Sequence, residues 1–140
     1  ERLIVMFAQK VLTQNHWDTD RAMDLLNTEP YRLPEPQLLT EEDGYLEERI
    51  VDFPDFSSER IRMDENVSRK FQCEGRYHLI ICVKGKLRLE SQSGSILELL
   101  PEEAVFLDAS TSFYRITNSG ADSMIFLRAV PVNAHSVKLD

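Results

Sequence analysis

At Gly44 the apolar residues of this chain change their spacing, from intervals of three and four residues to intervals of two, and that switch limits the fold more than any other feature. Beyond it come nine short segments with strand character: 48–53, 59–63, 69–73, 77–84, 86–90, 95–100, 104–108, 113–118 and 123–130. Turn residues separate them at a spacing of about 8 to 12 residues, the signature of an antiparallel sandwich or barrel. In segment 77–84, Tyr77, Leu79, Ile81 and Val83 fall on one face and Ile80 and Cys82 on the other. Both faces are apolar, so this strand is expected to be central. Lys84, Gly85 and Lys86 predict a tight hairpin in which the glycine takes a positive φ. Further turns are expected at 91–94 and 118–120. No long helical period interrupts the region, which excludes a doubly wound parallel sheet. The expected fold is mainly β, an antiparallel barrel of jelly-roll type.

The first part of the chain reads differently. Leu3, Met6, Phe7 and Val11 lie on one stripe of a helix spanning about 1–14. Asp18 or Thr19 can cap a second helix, whose inner face carries Ala22, Met23, Leu25 and Leu26 and which must end before Pro30. Pro30, Pro34 and Pro36 then forbid both a helix and a central strand. Glu41, Glu42, Asp43 and Gly44 extend this stretch as an exposed acidic turn. The expected organisation is a helical pair over 1–28, a Pro-rich acidic strap over 29–44, the β-barrel over 45–132 and a tail over 133–140. Because the chain opens at Glu1 rather than Met, a longer parent protein is expected.

A chain of 140 residues supplies one good core and a small appendage. Its net charge of −8 and pI near 4.9 argue against nucleic acid or an anionic membrane surface as partners, since both require clustered Lys and Arg. No segment approaches the roughly 20 apolar residues that span a bilayer, and no signal-peptide pattern opens the chain, so a soluble, cytoplasmic protein is expected. Cys73 and Cys82 sit in apolar strand patterns without zinc-ligand spacing and are expected to be reduced, buried thiols. No Gly-x-Ser-x-Gly frame surrounds Ser57, Ser58, Ser110 or Ser112, and Gly85 and Gly94 are isolated, so neither a hydrolase elbow nor a phosphate-cradling loop is present. Arg60, Arg62, Arg69 and Lys70 form the densest basic patch; an anionic sugar phosphate could touch it, but strand alternation turns these side chains to solvent.

From Tyr77 onward the order of elements resembles the paired motifs of the cupin superfamily: a strand ending in Val83-Lys84-Gly85, a hairpin, a proline turn at Pro101, and Tyr114-Arg115-Ile116-Thr117-Asn118. Metal-binding cupins place two His and a Glu in the first motif and a further His four residues before the Asn of the second. Measured from Gly85 and Asn118, those positions here hold Gln72, Glu74, His78 and Tyr114. None is the usual type, so they are candidates for lining or binding inside the barrel, and no metal is expected. Glu102 and Glu103 stand where the motif has Gly-Asp after its proline, so a local bulge is expected there. His16 and His135 are expected at the surface.

A narrower likeness joins the strap to the barrel. Ala22-Met23-Asp24-Leu25-Leu26-Asn27, the prolines, Tyr45-Leu46 and Met124-Ile125-Phe126-Leu127-Arg128-Ala129 resemble the layout of the C-terminal cupin region of type I mannose-6-phosphate isomerases, over roughly residues 21 to 130. The resemblance implies a parent that interconverts mannose 6-phosphate and fructose 6-phosphate with zinc held in a separate catalytic domain. It implies a non-catalytic module without a cofactor of its own, packed on that domain or self-associating as a homodimer. The alternative is a stand-alone degenerate cupin acting in dimerisation or protein interaction. Gln14-Asn15-His16-Trp17-Asp18 and Arg21-Ala22-Met23-Asp24-Leu25-Leu26 favour it, being similar to the last two helices of ubiquitin-associated bundles.

Overall fold

The computed structural model describes residues 34–132, and every element in this span is a strand. The expected helical pair with Trp17 and His16, the first part of the strap, and the tail with His135 lie outside the described residues. Ten antiparallel strands follow one another: β1 Gln37–Glu42, β2 Tyr45–Asp52, β3 Phe56–Met63, β4 Ser68–Gln72, β5 His78–Lys84, β6 Leu87–Ser91, β7 Ile96–Leu99, β8 Ala104–Leu107, β9 Phe113–Asn118 and β10 Met124–Pro131. They form a six-stranded sheet in the order β1-β2-β3-β10-β5-β8 and a four-stranded sheet in the order β4-β9-β6-β7.

The expected barrel is corrected by this topology. No strand of either sheet pairs with a strand of the other, so the sheets face each other as an open jelly-roll sandwich. What joins them is their side chains: Phe71 of β4 meets Phe126 of β10 edge-on at 6.1 Å, and both belong to a core with Ile61, Ile80, Leu87 and Ile116. Period-2 alternation sends Ile61 and Met63 of β3, Ile80 and Cys82 of β5, and Met124 and Phe126 of β10 inward. Strand β5 has neighbours on both sides, as expected of a central strand. Its outer face is less buried than the sequence suggests, because Leu79 and Ile81 are only half-buried and Val83 is exposed, while Tyr77, also exposed, precedes the strand.

Strand β1 lies in the stretch read as a strap. Five of its six residues are exposed, so it has no alternation for a sequence pattern to reveal. It is held by hydrogen bonding to β2 across a turn at Asp43 and Gly44. Glu41 and Glu42 therefore belong to a strand rather than to a loop.

Two turns fix the site's framework. Gly85 has φ +85, and a Cβ there would meet the Met124 Cα at 3.0 Å, so the predicted glycine is required by both conformation and space. Asn118 is fully buried; its Nδ2 donates to the carbonyl oxygens of Met63 and Asp122, and its Oδ1 accepts from the Gly120 amide. The bond to Met63 ties β9 to β3 in the opposite sheet. At Pro101 the expected bulge is replaced by a turn in which Glu102 itself takes φ +75. The Glu102 amide donates to the Cys82 carbonyl, and Glu103 Oε2 accepts from the Leu100 amide. Among the described residues no helix is long and apolar enough to cross a membrane.

Candidate functional site

The interior of the six-stranded sheet is graded from one end to the other. In register across β2, β3 and β10, one inward row reads Tyr45, Met63, Met124 and the next Glu47, Ile61, Phe126; the third reads Arg49, Glu59, Arg128. Alternation thus delivers charge to the same face that carries the apolar core two and four residues away. Arg128 Nη2 donates to Glu47 Oε1 at 2.7 Å, and Arg128 Nε donates to Glu59 Oε2 at 3.4 Å. The guanidinium also lies 4.9 Å from the centre of the Phe71 ring. Ser57 Oγ donates to Glu59 Oε1, and the Tyr45 hydroxyl donates to Glu47 Oε2. Burial opposes the charge of Arg128, yet Tyr114, Glu47, Glu59 and Tyr45 around it hold its pKa above the ordinary guanidinium value.

This charged end opens into a cavity of about 370 Å³. Gln72, Glu74 and His78, three of the four positions picked out by the cupin spacing, line it together with Arg49, Arg76 and Arg128. The fourth, Tyr114, is fully buried and binds His78 from behind, with its hydroxyl 2.9 Å from Nδ1. Phe71 stacks on the Tyr114 ring at 5.3 Å. Gln72 and Glu74 are exposed, and Glu74 is taken by Arg76 at 2.8 Å. The expected basic patch is split: Arg60 pairs with Glu48, Arg69 with Glu42, and only Lys70 reaches the cavity.

Protons can be placed on the His78 and Tyr114 pair. The Tyr114 hydroxyl and His78 Nδ1 share one hydrogen bond, in which the ring's tautomer decides which of them donates. Burial lowers the His78 pKa to about 4, with Arg128 and Arg76 adding to the effect, so the ring is neutral near pH 7. A neutral ring that accepts at Nδ1 carries its proton on Nε2, and that atom is buried without a partner. Burial also raises the Tyr114 pKa above its usual value, which keeps the phenol protonated.

The resemblance to metal-binding cupins implies a metal, and these residues do not fit one. Among the described residues no three His, Cys, Asp or Glu side chains are grouped to hold an ion. Only one nitrogen of His78 is free, Tyr114 would have to lose a proton that its surroundings hold, and three guanidinium groups line the space a dication would enter. Cys73 and Cys82 are free and fully buried; burial pushes both thiols up, which makes them inert.

Sequence reasoning missed Arg49, Glu59 and Arg128. The signal was present: Glu59 stands two residues before Ile61 and Arg128 two after Phe126, so each charge occupies an inward phase of its strand.

No family model matches the chain, and no curated protein matches it either. Solved structures do. KdgF from Halomonas sp. superposes with a TM-score of 0.59 at 18% identity, covering 70% of this chain and 88% of that one. The polyketide cyclase RemF from Streptomyces resistomycificus gives 0.58 at 17% identity, over 77% and 81%. A sugar phosphate isomerase of the cupin superfamily from Silicibacter pomeroyi gives 0.56 at 14% identity, over 71% of each chain. At these identities the likeness establishes the fold, that of the cupins.

Proposed function

We propose that this chain is a non-catalytic cupin module of the kind that closes a type I mannose-6-phosphate isomerase, working beside a zinc-bearing catalytic domain rather than holding zinc itself. One observation carries the reading: at the four cupin ligand positions stand Gln72, a Glu74 bound to Arg76, and a His78 bound to Tyr114, so a working ligand set is replaced by an ionic and hydrogen-bonded network. The sequence layout from the second helix through β10 supports it, as does the presence of a sugar phosphate isomerase among structures of the same fold. Exposed apolar side chains, among them Leu38, Phe53, Phe56 and Phe106, supply surface for packing on a further domain. The parent would work in the cytoplasm on sugar phosphates.

A second reading, a stand-alone module that self-associates, is favoured by the exposed pair of Tyr77 and Phe106, stacked at 5.3 Å on the edge strand β8. One preparation tests both. Incubated with zinc and mannose 6-phosphate, the chain is expected to produce no fructose 6-phosphate, and the purified protein to contain no stoichiometric metal. Turnover, or bound zinc that disappears in His78→Ala, refutes the non-catalytic assignment. Concentration-dependent dimerisation on a sizing column selects the second reading.

A further inference from the structure

We propose that the cavity at the charged end of the sandwich is a binding site for a small oxyanion, a metabolite bearing a carboxylate or a phosphate. Two independent features point to it. Among the described residues, the buried side-chain nitrogen or oxygen atoms that lack a hydrogen-bond partner are two, Arg49 Nε and His78 Nε2. Both belong to residues lining this one cavity, although they come from different strands, β2 and β5. Arg49 Nε is always a donor, and His78 Nε2 is one in the tautomer whose Nδ1 accepts from the Tyr114 hydroxyl. The nearest carboxylate oxygen to Arg49 Nε, on Glu59, is 3.7 Å away, too far for a hydrogen bond. A buried donor without an acceptor costs about 1 to 3 kcal/mol, and here the fold itself supplies none to either atom, so acceptor oxygens entering the cavity can meet both.

The second feature is charge. The protein carries −8 overall, yet the lining of this cavity holds Arg49, Lys70, Arg76 and Arg128 against Glu59 and Glu74, an excess of two positive charges. Lys70 has no carboxylate partner among the described residues and rests 3.7 Å from the centre of the Phe113 ring, at the same cavity. A concave positive site in an acidic surface focuses the field on incoming anions. The volume suits a ligand of metabolite size, since small-molecule sites begin near about 300 Å³.

The test is calorimetric titration of the chain in metal-free, low-salt buffer with inorganic phosphate, mannose 6-phosphate, glucuronate and uncharged mannose. At least one of the three anions is expected to bind with a submillimolar Kd that weakens with salt, and mannose not to bind at 10 mM, a concentration chosen to be about tenfold above the weakest expected affinity. The pattern separates a phosphate site from a carboxylate site. Arg49→Met and His78→Phe are each expected to weaken the bound anion about tenfold or more, and the exposed Arg88→Met to leave it unchanged. If His78→Phe does not fold, the half-buried Arg49 carries the test. Absence of heat with all three anions, equal binding of mannose, or unaltered affinity in Arg49→Met overturns the proposal. The assay involves neither zinc nor turnover, so its failure leaves the isomerase-module reading standing, and turnover would refute that reading without touching this one.

Discussion

Arg128→Met removes the last charge of the inward row Arg49, Glu59, Arg128 while keeping most of the length of the stem. Its side chain is 16% exposed, and it holds two carboxylates, Glu47 at 13% and Glu59 at 4%. The short bond to Glu47 contributes about 2 kcal/mol, as charge-assisted bonds do. The longer contact to Glu59 adds about 1 kcal/mol, and the contact with the Phe71 ring about 1 kcal/mol more. Together these give about 4 kcal/mol, within the ~3 to 5 kcal/mol found when a buried pair loses one member. For a domain of this size that is a fall in Tm of roughly 15 to 30 °C. Urea titration of the wild type, Arg128→Met, Glu59→Gln and the double variant completes a cycle. Because the double variant leaves fewer unpaired charges, its loss is expected to be smaller than the two single losses combined by at least about 1 kcal/mol. A single-variant loss below about 1 kcal/mol, or losses that add within ~0.5 kcal/mol, would refute the view that this network is desolvated and coupled.

Two further outcomes follow from local geometry. The ordinary His78 pKa is 6.5 in the unfolded chain and falls to about 4 in the fold, so the stability it contributes is complete above pH 6.5 and is lost as pH falls towards 4. The 2% exposed imidazole makes this a loss of about 3 kcal/mol over that window, at ~1.4 kcal/mol per unit. Stability measured from pH 7 to pH 4 is expected to fall more in the wild type than in His78→Gln by that amount, and parallel profiles would contradict it. Glu102→Gly relieves a left-handed residue of a strained conformation and is expected to raise stability by about 0.5 to 1 kcal/mol in thermal denaturation; a decrease would show that the turn does not strain Glu102.

Strands such as β3, β5, β6 and β9 were legible because each buries one face and alternates. Gly85 and Asn118 were legible because few residues can do what those turns require. Strand β1 was hidden because exposure removed its pattern, and the open sandwich was hidden because pairing between distant strands leaves no local mark. The site was half legible. Family spacing found His78 and Tyr114, but spacing could not show that Arg128 meets Glu59 and Glu47 across 69 and 81 positions of chain. That pairing depends on β10 entering between β3 and β5, and only the register of the whole sheet reveals it.

The place of β10 also sets a schedule. It is the last of the ten strands to leave the ribosome, yet it fills the slot between β3 and β5, which were made long before. Until it arrives, both those strands expose raw backbone to any passing chain. The β1-β2-β3 half of the sheet therefore cannot join β5 and β8 until β10 is made. A nascent chain stalled before Met124 is a sticky intermediate rather than a smaller domain, a natural client for a chaperone.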